Sequence, residues 1–181
     1  MDIFNIQLLT QNWIDDEPDE GMDYCSHGKV LIRINEIILS GVNSPEWTVA
    51  SSALRLMKSA IYGYDSKNEL ELIPHCGYLR EFPSCPNYVT WDTEINDDVI
   101  VVSNIQTERN DESGLKMITG SYKINLKQYQ EQVLHFADKV KGFYSSNIPR
   151  KFYNEFDEEE FDLFWKEFNE YYQTLHEKNA Q

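Results

Sequence analysis

The sequence predicts an α+β fold, a largely antiparallel sheet with helices packed on one face. Three observations carry this. Apolar residues alternate at period two through most of the first two thirds of the chain, at helical spacing through the last third, and strands that precede helices in this way favour segregated rather than alternating layers. With 181 residues, 41% hydrophobic and 13% aromatic, the chain is long enough to enclose one core. It contains neither an internal repeat nor a low-complexity tract, so a single globular domain spanning 1–181 is expected.

Phe4, Ile6 and Leu8 alternate with Asn5 and Gln7 as in a strand with one buried face. The stretch QNWIDDEPDEGMDYCSHG then breaks the pattern, and its charges, Pro18, Gly21 and Gly28 mark an acidic loop at about 12–28. Val30, Ile32 and Ile34 restore the alternation, and IILS after Asn35 and Glu36 suggests a hairpin or a bulged strand ending near Gly41. A helix is expected at about 51–62, with Ser51 or Ser52 capping its first turn, Leu54, Met57 and Ile61 on its apolar face and Gly63 at its end. ELELI reads as a strand. YVTWDTEI and DVIVVSNIQT read as a hairpin turning at Asn96, Asp97 and Asp98, RNDESG as the next turn, and LKMITGSYKIN as the returning strand.

Helical spacing then takes over. Asn125 is placed to cap a helix at about 126–145 with Tyr129, Val133, Phe136, Val140 and Phe143 or Tyr144 on its stripe, stopping before Pro149. Asp157 and Glu160 have capping-box spacing for a helix at about 157–177. Phe161, Phe164, Trp165, Phe168, Tyr172 and Leu175 follow on one face, and the expectation is core packing against the sheet rather than a ligand box.

Charge narrows the class of partner. The formal net charge is −15, concentrated at the two ends. Met1 to Gly28 holds seven acidic residues and no Lys or Arg; Phe152 to Gln181 holds nine acids against Lys166 and Lys178. Such a chain offers neither phosphate neutralisation nor counterion release, which argues against nucleic acid and anionic membrane as partners. A basic protein fits better, although acidity also serves solubility alone. No apolar run approaches a membrane span and no positive charge precedes the first apolar residues, so a cytoplasmic protein is expected.

The stretch IPHCGYLREFPSCPNY concentrates the chain's unusual chemistry. Cys25, His27, Cys76 and Cys85, with His75 in reserve, have the right types for zinc, but eight residues separate Cys76 from Cys85 and one separates Cys25 from His27, unlike the two-to-four-residue knuckles of structural sites. Buried cysteine and a satisfied histidine explain them as well. A nucleophilic Cys76 needs a base within reach, and the adjacent His75 points to the opposite side of an extended chain. DDEPDEGMD fails as a calcium loop because Glu20 stands where glycine is required and Ser26 where the bidentate glutamate belongs. No phosphate loop, nucleophile elbow or zincin helix is present. No metal and no cofactor is therefore expected.

The runs LIRINEIILSG, IPHCGYLREFPSCPNYVTWD, FADKVKGFYSSNIPRKF and FDEEEFDLFWKEF, spanning roughly residues 30 to 168, resemble a group of small bacterial proteins associated with toxin immunity and contact-dependent inhibition loci. The resemblance implies a cytosolic α+β protein that neutralises a toxin domain by occluding it, and it carries no catalytic residues. The expectation is a non-enzymatic, immunity-type inhibitor of a basic toxin domain. Its partner-binding candidates are Asp15, Asp16, Glu17, Asp19 and Glu20, with Trp13, Tyr24 and Tyr78 as aromatic anchors. The alternative is a small enzyme or zinc-binding protein centred on Cys76, Cys85 and a histidine.

Overall fold

The computed structural model describes residues 1–14, 21–76, 79–80, 86–108 and 114–180. Its elements follow the order β1 (Phe4–Leu8), β2 (His27–Gly28), β3 (Val30–Ile34), β4 (Ile37–Ser40), β5 (Trp47–Thr48), α1 (Val49–Tyr62), β6 (Ile73–Pro74), β7 (Tyr88–Asn96), β8 (Val99–Glu108), β9 (Lys116–Asn125), α2 (Leu126–Ser146) and α3 (Glu155–Asn179). The α+β expectation holds: all strand pairs are antiparallel, and the three helices lie at the expected positions. The turn expected in RNDESG falls on residues 109–113, outside the described residues.

Among the described residues three sheets form, ordered β1-β3-β4, β2-β5 and β6-β7-β8-β9. The first and last meet at one seam. Asp2 N–H donates to the Lys123 carbonyl at 2.8 Å, while the Asp2 carboxylate accepts from Lys123 N–H, also at 2.8 Å. Beneath this seam Phe4 meets Trp91 edge-on at 5.9 Å and Tyr129 at 4.6 Å. These rings are fully buried with Trp47, Phe136, Phe164 and Phe168, so both sheets share one core with the helices.

Local chemistry explains most boundaries. The β3–β4 and β7–β8 hairpins turn through Asn35 and Asp97, which adopt left-handed φ of +50° and +52°; Asn and Asp tolerate that region better than most residues. Asn125 caps α2 as expected, its side-chain oxygen accepting from Gln128 N–H at 3.0 Å. Three details differ from expectation. The α1 serines do not cap: Ser51 and Ser52 hydroxyls donate backwards to the Thr48 carbonyl. The α3 cap lies three residues earlier, where Asn154 Oδ1 accepts from Asp157 N–H at 2.9 Å, and Glu160 instead pairs with Arg80. ELELI yields only the two-residue β6, because Glu69 and Asn68 fold into a turn on Asp65 and Leu72 N–H donates to the Thr90 hydroxyl rather than to a strand.

The helices are layered. α2 packs on β1, β8 and β9, spanning the seam, and also on α1. α3 rests mainly on α1 and α2, so its aromatic stripe faces other helices rather than the sheet surface expected. Over 25 residues, α3 fully buries only Phe164, Phe168 and Leu175.

Candidate docking surface

The two ends of the acidic loop are held beside the α2–α3 junction. Asn12 and His27 exchange paired backbone hydrogen bonds at 2.9 Å and close the loop's base. Gly28 sits beneath, and only glycine fits: a Cβ there would lie 1.9 Å from the Thr10 carbonyl oxygen. The Asp23 carboxylate then draws both sides together, one oxygen accepting from Ile14 N–H at 2.8 Å and the other from Cys25 N–H at 3.0 Å. Lys151 N–H donates to the Gly21 carbonyl at 2.7 Å, joining the loop's far end to the segment between α2 and α3.

Aromatic side chains build the wall behind this junction. Trp13 packs against Phe143 at 4.9 Å with the rings tilted and edge-on against Tyr144 at 5.0 Å, its indole N–H donates to Asn147 Oδ1, and the Arg150 guanidinium lies 4.1 Å from its ring centre. Arg150 also donates to the Asp23 and Ile148 carbonyls. Tyr24 donates to Asp157 Oδ1 at 3.1 Å and faces Phe152 and Phe161. The Tyr144 hydroxyl ties these parts together: it donates to the Tyr24 carbonyl at 2.9 Å and accepts from Ser26 N–H at 3.0 Å. Burial pushes this phenol well above the ordinary tyrosine range, so it remains a neutral donor. An open groove of about 390 Å³ runs along the wall between Lys141, Tyr144, Arg150, Phe152, Phe161 and Trp165.

Trp13 and Tyr24 are thus brought together, but half-buried and engaged within the chain. Asp15, Asp16, Glu17, Asp19, Glu20 and Tyr78 lie outside the described residues. The apolar groups that do face solvent here are ones the sequence reading did not single out: Ile14, Ile148, Tyr153, Phe156 and Leu163, with Tyr153 79% and Phe156 65% exposed. Around them Glu155, Glu158, Glu159 and Asp162 are exposed. A signal for them existed. Tyr153 and Phe156 precede the α3 stripe and fall off its register, which leaves them no core to enter.

Of the cysteine and histidine candidates, Cys25 and His27 belong to the base of the acidic loop itself, whereas His75 and Cys76 follow β6. Cys25 is buried, and burial, with the nearby Asp23 charge, pushes its thiol up to about 12, which makes a poor nucleophile. Cys76 is exposed and Cys85 lies outside the described residues. His27 lies opposite Thr48 in the β2–β5 ribbon, where burial, opposed by Asp23 and assisted by His75, lowers its pKa. His75 meets Trp47 edge-on. Among the described residues no group of three or more His, Cys, Asp or Glu is placed to hold a metal ion, and no helix is long and apolar enough to cross a membrane.

Comparison with known protein families, curated proteins and solved structures returns no match.

Proposed function

We propose that the protein is a non-enzymatic binding protein, an immunity-type inhibitor that neutralises a basic toxin domain in the cytoplasm by covering it. One observation carries this reading: exposed apolar side chains, Tyr153, Phe156, Leu163 and Ile148, stand among exposed carboxylates where both ends of the acidic loop attach. Apolar anchors rimmed by charge are what a protein interface needs, since buried aromatics supply most of the affinity while carboxylates set partner choice and association rate. A toxin that handles nucleic acid must display Lys and Arg, and an anionic protein is steered onto that surface while blocking substrate. Asp15, Asp16, Glu17, Asp19 and Glu20 extend from this junction in sequence, and Trp13 and Tyr24 stiffen its base. The sequence resemblance to immunity proteins supports the same class of partner.

The test uses the toxin encoded beside this protein's gene. Reversing Asp15, Asp16, Glu17, Asp19 and Glu20 to Lys is expected to slow association and flatten its salt dependence. Tyr153→Ser with Phe156→Ser is expected to speed dissociation with little change in association. A partner whose kinetics are indifferent to both sets, or a neighbour that encodes no basic toxin, overturns the reading.

A further inference from the structure

A second site lies away from this surface, in a recess of about 290 Å³ between α1, the turn at 64–70, Arg80 and α3. At its wall is Arg55, a charged residue only 8% exposed. One arm of the guanidinium donates to the Glu71 carbonyl at 2.6 Å. Its Nε and Nη2 have no hydrogen-bond partner among the described residues, and no carboxylate there lies within ion-pair distance. Other cations at the recess are matched: Lys58 pairs with Glu69, and Arg80 bonds Glu160 at 3.4 Å and Glu167 at 3.3 Å.

A guanidinium carries five N–H donors and does not lose its charge in proteins. The Glu71 carboxylate acts on Arg55 through space but makes no ion pair with it, and a nearly buried cation lacking a carboxylate in contact is costly, the more so where Leu54, Leu56 and Met57 make an apolar helix around it. The missing groups are negative charge and oxygen acceptors, presented to a planar fork. The recess is near the small end of ligand sites, which run roughly 300–1,000 Å³. Lys58 and Arg80, whose side chains are 40% and 24% exposed, line the same recess, each beside its carboxylate partner, with Glu69 and Glu167 in the lining too. Tyr64, whose hydroxyl donates to the Leu70 carbonyl, forms part of the wall.

We propose that this recess binds a small oxyanion, a phosphate or a carboxylate, through the free edge of the Arg55 guanidinium. The site is independent of the docking surface, so either can fail alone.

The probes are inorganic phosphate and succinate, each titrated into ¹⁵N-labelled full-length protein and followed by chemical-shift mapping. Saturable shifts clustered at residues 54–58, 64–71 and 167–171, with the Arg55 Nε–H resonance among them, are expected for at least one probe. A response to phosphate alone assigns a phosphate site, and a response to succinate alone a carboxylate site. Arg55→Gln is expected to weaken binding roughly 10- to 100-fold, the loss of a charged hydrogen-bonded pair. Arg55→Lys, which keeps the charge but not the fork, should fall between. If the Arg55→Gln protein does not fold, Lys58→Gln decides, with an expected weakening of a few fold. No saturable shift with either probe, shifts scattered over the surface, or affinity unchanged in the folded variants overturns the proposal.

Discussion

Tyr144→Phe removes one oxygen and leaves every ring contact of the docking wall in place. In the native protein that hydroxyl serves two backbone groups at the far end of the acidic loop, the Ser26 N–H and the Tyr24 carbonyl. Ser26 is fully buried, so its N–H, deprived of the phenol oxygen, costs the desolvation penalty of an unpaired donor, about 1–3 kcal/mol. The Tyr24 carbonyl belongs to a half-buried residue, and loss of its bond costs less, about 0.5–1.5 kcal/mol. Together the substitution should destabilise by about 2–4 kcal/mol. For a chain of 181 residues this lowers Tm by roughly 5–15 °C. Urea denaturation followed by tryptophan fluorescence measures it, and the dependence of stability on urea should be unchanged because the unfolded surface is the same. The basic partner proposed above should still bind the folded variant but more weakly, since the loop base is no longer pinned before association. A loss below about 0.5 kcal/mol, the ordinary scatter of surface substitutions, would show that the phenol does not hold the loop base, and the rigid-platform argument would fall with it.

Further outcomes follow from buried ionisable groups and from the acids of α3. Burial pushes the Cys25 thiol from 9.0 and the Tyr129 phenol from 10.0 up to about 12. Both raised values mean that stability is intact below pH 9 and lost as pH climbs toward 12, at about 1.4 kcal/mol per pH unit for each group that the unfolded chain has already deprotonated. Urea midpoints flat from pH 9 to 11 would refute this, and Cys25→Ser should remove one group's share of the slope. Burial tends to raise the Asp92 pKa, but hydrogen bonds from Ser66 Oγ (2.6 Å), Ser66 N–H (2.9 Å) and Asn104 Nδ2 (2.5 Å) outweigh it and hold the carboxyl below 3.8. Asp92→Asn should therefore destabilise by about 1–2 kcal/mol at neutral pH, with the gap to wild type closing as pH falls below 3.8, and a pH-independent gap would contradict it. Glu155 and Glu158 lie in the first turn of α3, where their charge complements the positive end of its helix dipole. Their reversal to Lys should cost about 0.3–1 kcal/mol each in thermal unfolding, whereas Glu159→Lys with Asp162→Lys should alter association kinetics alone; equal stability losses in both pairs would sink the distinction.

Legibility in the sequence tracked the range of each signal. Phe4, Ile6 and Leu8 alternate and are all buried; Asn96–Asp98 turns; Asn125 caps. Each depends on neighbours a few residues away, where propensity and periodicity act. The failures are long-range or competitive. Nothing local announces that Asp2 joins two sheets through Lys123, or that His27–Gly28 pairs with Trp47–Thr48. The α3 cap differs from expectation because Asn154/Asp157 and Asp157/Glu160 share the same three-residue spacing, and only the first makes the cap while Glu160 pairs with the distant Arg80. Trp13 and Tyr24 were legible as aromatics beside the loop, but their capture by Phe143, Arg150 and Asp157, which leaves solvent contact to Tyr153 and Phe156, depends on residues 120 to 140 positions distant.

The architecture of α3 connects these points to function. A helix of 25 residues that buries only three side chains completely has far more surface than its own packing requires. Of its remaining rings, Phe161, Trp165, Tyr171 and Tyr172 are half-buried against neighbouring aromatics, so the helix is held by edge-on and tilted ring contacts and by Tyr24 at its first turn. Folding explains a carboxylate or two there through the dipole. It does not explain Phe156 and Tyr153, whose exposure forfeits about 1.5–3 kcal/mol for a large apolar side chain left in water. Residues that fail to support the fold, beside acids in excess of what the helix end can use, make sense if a second molecule completes the burial, and the same surface then supplies both the steering charge and the dry contact.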